Sequence, residues 1–295
     1  MAGAEEIAPG VRRLTCPNPG PMTHTGTQTY LLGRGELAAI DPGPEHEGHL
    51  EALLAALSAG ERMATILVPP SHRDHSPGAR WLAARTGAPV LAFGPHGAGM
   101  SQTMRRLAAT CALGGGEGAD AGFAPDRCLS DGERFEVGAE TVEALHTPGH
   151  LSNHLCFAVP ARGIVFSGDT VMGWASTLVS PPDGDMGAFM ASLHRLAARR
   201  DRLYLPGHGE AINDPAARLT ELISHREARA DQVRAALDRG PGTPAELTAM
   251  VYTDVTPNLR AAAERNLLAT LIWLTERGEA AVEGPPGPGA RFRAA

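Results

Sequence analysis

The 295-residue chain contains no lysine, and all 26 of its basic residues are arginine. Against 33 acidic residues this leaves a net charge of -7, so the chain lacks the basic character that usually accompanies nucleic-acid binding. The excess acid lies before residue 215, where 16 arginines face 23 acidic residues. Aromatic residues make up only 4% of the chain, so the core must be built mainly from Leu, Val and Ala.

Cysteine and long apolar runs are also scarce. The four cysteines are scattered and form no Cys-x-x-Cys pair: Cys16, Cys111, Cys128 and Cys156. We interpret them as reduced, mostly buried thiols of a cytoplasmic protein. The first residues include Glu5 and Glu6 and no apolar segment of the signal-peptide type. No run approaches the roughly 18 apolar residues that a transmembrane helix needs, so we expect no membrane contact.

Ligand-type side chains are concentrated in the stretch 67–78. An apolar run ends there in Pro69 and Pro70. The loop that follows carries three side chains able to bind a metal: His72, Asp74 and His75. Imidazole and carboxylate groups are ligands of zinc and iron(II), and a loop that follows a predicted strand suits metal binding.

Three turns further along the chain each offer one more metal-capable side chain after a β-rich apolar run. His150 ends a Thr-Pro-Gly-His turn, Asp169 lies in Ser-Gly-Asp-Thr, and His208 lies in Pro-Gly-His-Gly. We therefore expect these side chains to converge with those of the first loop on one pocket at the ends of strands.

The order and spacing of these motifs resemble the metallo-β-lactamase superfamily, whose first signature is Thr-His-x-His-x-Asp-His. Further stretches resemble the branch of β-lactamase-like endoribonucleases and thioesterases: residues 172–174, residues 179–185, His225-Arg226 and Val251-Tyr252. The resemblance covers nearly the whole chain. It implies an α/β fold, a four-layer αββα sandwich over residues 1–215, followed by a small winged-helix-like α+β domain over residues 216–295.

The resemblance also implies two ligand sets. His72 and His150 would hold the first metal, and the second would be held by Asp74, His75 and His208, with Asp169 shared between the two sets. The expected metal is zinc, one or two ions per chain, with iron(II) or manganese(II) as alternatives. In the family, an aspartate at the position of Asp41 orients a ligand histidine; a turn or helix cap is the alternative role for Asp41.

The chain departs from the family pattern at Pro70, where the family has a ligand histidine. Proline has no side-chain donor atom, so the first metal site loses one ligand. We therefore expect the second site to fill first and the first to bind more weakly. His24 lies in a loop that overhangs the site in the family, where it could replace the missing ligand or touch substrate; an exposed loop histidine is the simpler interpretation.

These features predict a metal-dependent hydrolase in which Asp74 orients or deprotonates a metal-activated water. We expect a small ester, thioester or amide as substrate, because the acidic catalytic domain disfavours a polyanion. Two alternatives stay open: a single-stranded RNA endonuclease of the same family, and a catalytically impaired binding or assembly protein marked by Pro69 and Pro70. A homo-oligomer is compatible with the sequence.

The C-terminal part reads as helices with a small β wing. Helical spacing predicts helices over residues 216–237 and 258–277, and a helix start at Thr243-Pro244 with Glu246 in its first turn. Residues 280–282 and 291–292 are predicted to pair as two short strands. In the catalytic part, leucines at helical spacing predict a helix over residues 47–58.

Overall fold

The computed structural model describes residues 3–110 and 118–295, so Cys111 lies outside the described part. The strands of the first sheet are β1 Glu5–Ala8, β2 Val11–Thr15, β3 Gln28–Arg34, β4 Glu36–Ile40, β5 Arg62–Leu67, β6 Val90–Ala92 and β7 Arg127–Cys128. Those of the second are β8 Arg134–Val137, β9 Glu140–His146, β10 Leu155–Val159, β11 Ile164–Gly168 and β12 Leu203–Pro206, and a third pair is β13 Ala280–Val282 and β14 Phe292–Ala294. The helices are α1 Glu47–Ala55, α2 Pro77–Thr86, α3 Gln102–Thr110, α4 Met186–Ala197, α5 Pro215–Leu237, α6 Pro244–Val251 and α7 Arg260–Glu276.

Both large sheets are mixed. The first has the order β1 to β7, with β1 to β4 antiparallel and β4 to β7 parallel. The second has the order β12-β11-β10-β9-β8, and only its β11–β12 pair is parallel. The carboxyl ends of β4 and β5 therefore meet at one edge of the first sheet, and those of β9, β11 and β12 meet at one edge of the second. All the loops that carry predicted ligands leave from these ends.

A continuous apolar core lies between the two sheets. Tyr30 and Ile40 of the first sheet pack there with Phe157 and Phe166 of the second. The central strands β3, β4, β10, β11 and β12 are buried on both faces, since helices cover the outer sides, whereas β1, β7 and β8 at the edges are largely exposed. This confirms the predicted αββα arrangement, because each sheet has one face on the shared core and the other under helices.

The helices of the outer layers bury their own apolar stripes. Leu50 of α1 and Leu82 of α2 pack on the outer side of the first sheet. On the second sheet, Phe189 of α4 and Leu222 of α5 pack against strand residues such as Val165. The helix predicted over residues 47–58 is confirmed, although it ends at Ala55.

The C-terminal module has a separate core. The last part of α5 packs there with α6, α7 and the β13–β14 pair, around side chains such as Val233, Leu247, Leu271 and Phe292. The predicted start of α6 is confirmed in atomic detail: Glu246 N–H donates to Thr243 Oγ1 at 3.3 Å, and Thr243 N–H donates to the Glu246 carboxylate at 2.8 Å. Three helices and a β wing form the predicted winged-helix architecture.

The part of the chain that the structure describes contains no helix with both the length and the apolar character needed to cross a membrane. Within that same part the cysteines are unpaired, with Cys16 and Cys156 buried and Cys128 exposed.

Candidate metal centre

The first ligand loop runs from the end of β5 to the start of α2. It carries His72, Asp74 and His75 past the two prolines, and its position follows from the central place of β5 between β4 and β6. His75 is fully buried, and its Nδ1 donates to Asp41 Oδ2 at 2.7 Å. Asp41 directly follows β4 and has a positive φ of 60°. It therefore plays the orienting role expected from the family rather than serving only as a turn cap.

The other three predicted ligands lie just beyond the carboxyl ends of strands in the second sheet. His150 follows β9, Asp169 follows β11 directly, and His208 lies two residues after β12. Gly207 is needed for this approach, because a Cβ there would meet Asp169 Oδ1 at 2.9 Å and Asp41 Oδ2 at 3.1 Å. The Pro-Gly-His turn thus places His208 against the carboxylates with no side chain between them.

The six side chains converge as two groups of three. His72, His150 and Asp169 form one group, and Asp74, His75 and His208 form the other, with the ligand atoms of each group all within 4.8 Å of one another. Asp169 lies between the groups. Its Oδ2 is 3.3 Å from His150 Nε2 and 3.2 Å from His75 Nε2, and its Oδ1 is 3.5 Å from His208 Nε2.

Three histidines have their proton positions fixed by acceptors behind them. His150 Nδ1 donates to the Leu178 carbonyl at 2.7 Å, and His208 Nδ1 donates to the Gly26 carbonyl at 3.2 Å. His75 Nδ1 likewise donates to the Asp41 carboxylate. Because each acceptor holds the proton on Nδ1, the Nε2 lone pair of each ring faces the centre, as metal binding requires.

The donor set fits a divalent cation. His208 Nε2 and Asp169 Oδ1 are both buried without a hydrogen-bond partner in the described structure. Such orphaned polar atoms are costly unless something binds them. A cation between these atoms would satisfy a nitrogen lone pair and a carboxylate oxygen together, and the all-N/O donor set suits zinc, iron(II) or manganese(II).

The electrostatics of the second group also favour positive charge. Burial lowers the pKa of His75, but the carboxylates of Asp41, Asp74 and Asp169 outweigh it and raise the pKa well above its usual value. Burial also opposes the charged form of His208, whose pKa is nevertheless raised by Asp169 and Asp74. A cation that binds there replaces these protons, so its binding releases protons and strengthens as the pH rises.

The carboxylates and His72 show the complementary shifts. Burial alone would raise the pKa of Asp74 and of Asp169, but His75 and His208 lower both, so both carboxylates are ionised at neutral pH. Burial, with His150 alongside, lowers the pKa of His72 to about 3. His72 is therefore neutral at neutral pH. Because His150 keeps its proton on Nδ1, His72 Nδ1 donates to His150 Nε2 at 3.1 Å, and a metal bound here would take the place of that shared proton.

Asp169 is held by a further histidine. His154 Nε2 accepts the Asp169 backbone N–H at 3.1 Å, and its Nδ1 lies 3.0 Å from Thr147 Oγ1 and 3.1 Å from Thr170 Oγ1. His154 is fully buried, and burial lowers its pKa well below the usual value. The ring therefore acts as a neutral support that fixes the main chain of Asp169 from behind.

The C-terminal module braces the same site through Arg226. Its guanidinium donates to Asn266 Oδ1 at 2.9 Å and to the Thr177 carbonyl, and Asn266 Oδ1 also accepts from Val179 N–H at 3.3 Å. The segment 177–179 in turn supports the centre, since Thr177 Oγ1 donates to the Asp169 carbonyl and the Leu178 carbonyl fixes His150.

The sequence singled out Arg226 only as part of the resemblance. Its partner Asn266 was not singled out, although a buried amide in an apolar helix is a sequence feature that could have identified it.

His24 occupies a different place from the one a replacement ligand would need. It is exposed, and its ring stacks on Trp174 with 4.8 Å between centroids. Neither of the two ligand groups found among residues 3–110 and 118–295 includes it. The first group therefore offers three protein donors, as the Pro70 departure predicts.

A cleft of about 380 Å³ opens over the centre. Its lining includes His72, Asp74, His150 and Asp169 on the floor and Met22, Arg73, Met172, Leu178 and Asp183 on the walls. The chain between β11 and α4 therefore forms part of the wall, through Leu178 and Asp183 among others. A substrate group in this cleft would touch both ligand groups at once.

Comparisons with known proteins agree with this geometry. Residues 22–208 match the metallo-β-lactamase superfamily, and residues 243–286 match the β-lactamase-associated winged helix domain. The chain is 30% identical to the lactamase-like protein adaB of Aspergillus niger, covering 96% of this chain and 85% of that one. It is also 30% identical to the atrochrysone carboxyl ACP thioesterase of Aspergillus fumigatus, over 83% and 74% of the two chains. A β-lactamase domain protein from Burkholderia ambifaria has a similar structure, with a TM-score of 0.82, 25% identity and coverage of 99% and 93%.

Proposed function

The chain belongs to the metallo-β-lactamase superfamily of hydrolases, and from that membership we propose that it is a metal-dependent hydrolase of small thioesters. One observation carries the proposal: six histidine and aspartate side chains converge in two groups, and four of them line the floor of a cleft. The thioesterase relative supports a thioester among the small ester, thioester and amide substrates that the sequence predicts.

We assign the residues as follows. Asp74, His75 and His208 would hold one metal together with Asp169, and His72, His150 and Asp169 would hold a second, weaker one. A divalent ion bound there would supply Lewis acidity and would lower the pKa of a coordinated water. The side chains fix where that chemistry occurs, because the acceptors behind His75, His150 and His208 prevent these rings from turning away.

Asp74 is the catalytic carboxylate of this proposal. Its side chain is 29% exposed, the highest value among the carboxylates of the centre, and it lines the cleft. Since its pKa is lowered, Asp74 is ionised at neutral pH and accepts a hydrogen bond readily, but it is a weak base. It therefore orients the attacking water towards the thioester carbonyl more than it removes the proton.

The cleft also favours a thioester over RNA. A single-stranded RNA substrate would need phosphate contacts along its path, whereas Arg73 is the only arginine or lysine among the cleft residues found in the described chain. The catalytic part as a whole carries excess acid.

The proposal is tested with metal-free protein, a benzoyl thioester of N-acetylcysteamine, and a labelled single-stranded RNA. We expect thioester hydrolysis to be absent without metal and restored by zinc, with the RNA left intact. Loss of the thioester absorbance is the appropriate readout, because the exposed Cys128 thiol would react with thiol dyes. Cleavage of RNA but not thioester would establish the nuclease instead, and no metal-dependent hydrolysis of either would favour the binding or assembly role.

A further inference from the structure

A second cavity of about 310 Å³ adjoins the cleft over the metal centre. Four residues line both spaces and so mark their common boundary: Met22, Met172, Thr177 and Leu178. The far wall of the second cavity is formed by α5 and α7 of the C-terminal part and by the chain around Tyr252. We call this second cavity the side groove. A molecule whose reacting atom lies at the metal centre can extend into it without leaving the protein.

The side groove is mainly apolar where it meets solvent, although His225 and Arg229 of α5 also line it. Four large hydrophobic side chains are exposed in the described structure, and three of them line it: Met22 at 51%, Trp174 at 36% and Leu259 at 40%. Clustered exposed apolar side chains beside a reaction centre indicate a ligand surface rather than the scattered exposure common on protein surfaces.

Two aromatic rings in the side groove are held in place. The Trp174 ring is stacked on His24, with an interplanar angle of 25°. The Tyr252 ring carries the Arg229 guanidinium 4.7 Å from its centroid, and the Tyr252 hydroxyl accepts from the Asn266 amide at 3.0 Å. Fixed rings cost little entropy to bind against, and flat aromatic groups pack on them favourably.

The geometry points to the side groove as the binding site for an aromatic acyl group of the thioester, which makes the C-terminal module a determinant of substrate choice. This inference rests on the proposed thioester hydrolysis. The thiol half of a thioester is polar and flexible, so it gains less from an apolar surface than an aromatic acyl group does. When the thioester carbonyl lies over the ligand groups, the acyl group extends past Met172 and Leu178 into the side groove. The thiol half then points towards solvent.

Ala262 on α7 offers a direct test, because it is half-buried in the groove wall, whereas its neighbour Ala261 is exposed and lies outside the wall. Ala262→Phe fills the groove, and Ala261→Phe adds the same ring to the same helix as the matched control. The measurement is the ratio of kcat/KM for 2-naphthoyl and acetyl thioesters of N-acetylcysteamine. We expect Ala262→Phe to lower this ratio by about tenfold or more, and Ala261→Phe to leave it unchanged.

A second variant tests the same inference without adding a bulky side chain, which could disturb the packing around the groove. Trp174→Ala enlarges the groove rather than filling it, and it should lower the same ratio by removing a stacking surface. An unchanged ratio in both Ala262→Phe and Trp174→Ala would overturn the inference.

Binding of 2-naphthoate to metal-free protein, followed by tryptophan fluorescence, separates this inference from the proposed function. We expect wild-type protein to bind 2-naphthoate, and Ala262→Phe to bind it at least about tenfold more weakly. If the wild type binds 2-naphthoate but hydrolyses no thioester, the proposed function fails while the groove remains an aromatic-binding site. If pantetheine binds in the groove and 2-naphthoate does not, the groove takes the thiol half and the inference is wrong.

Discussion

Replacing Asp169 with asparagine should lower thioester hydrolysis by about 10³-fold or more, since the charge stabilisation at stake amounts to several kcal/mol. Asparagine keeps the shape of the side chain but removes the negative charge that lies between the two ligand groups. His75 and His208 then lose a carboxylate neighbour at 3.2 and 3.5 Å, and both ligand groups lose the anionic donor that they would share. The measurement is kcat/KM with zinc in excess.

Asp231→Asn is the matched control for this change, because Asp231 is an exposed residue of α5 that pairs with Arg234. It should leave the rate unchanged. Thermal unfolding of both variants shows whether the fold is intact. An Asp169→Asn protein that is folded and retains a rate within about tenfold of the wild type would contradict the role given to this carboxylate.

Removing the Arg226 guanidinium should weaken metal binding at the His72, His150 and Asp169 group by about 10- to 100-fold, the usual effect of losing a supporting contact. Arg226→Met leaves segment 177–179 without its anchor in the C-terminal module, so the contacts to His150 and Asp169 loosen. Arg226→Lys should rescue little, because one ammonium group cannot reproduce the two-pronged donation to Asn266 and to the Thr177 carbonyl. Zinc titration of the metal-free variants measures the effect.

Arg234→Met is the control for Arg226, since Arg234 lies on the same helix but pairs with Asp231 and Glu279 at the partly exposed side. We expect normal metal binding in that variant. If Arg226→Met lowers thermal stability but leaves both metal affinities unchanged, Arg226 is a packing residue and does not position the centre. The distinction matters because a buried arginine is costly: burial lowers its pKa to about 10.

The six candidate ligand residues could be singled out from the sequence because each lies in a turn or loop that follows an apolar strand. His150, Asp169 and His208 needed no long-range information to be singled out, and the parallel ends of neighbouring strands bring such turns together. The capping box at Thr243 was predictable for the same reason, since its two hydrogen bonds join residues three positions apart.

Other parts of the site could not be predicted because their partners are distant in sequence or lie on the main chain. The carbonyls of Gly26 and Leu178 fix two histidines, and a backbone carbonyl leaves no mark in the sequence. The contact of Arg226 with Thr177 spans 49 positions. Helix α3 was also missed: its buried residues, Met104 and Leu107, pack with the core of the C-terminal module rather than with nearby chain.

The most direct test of whether the converging histidines and aspartates bind a metal is a zinc titration of chelator-treated protein. The titration is monitored by calorimetry, and the bound metal is counted. The Asp74, His75 and His208 group gains a fourth donor from Asp169, whereas Pro70 leaves the other group with three donors. We predict one tight ion per chain and a second that binds more weakly. A protein that binds no zinc tightly would contradict the central claim, and two equally tight ions would contradict the effect assigned to Pro70.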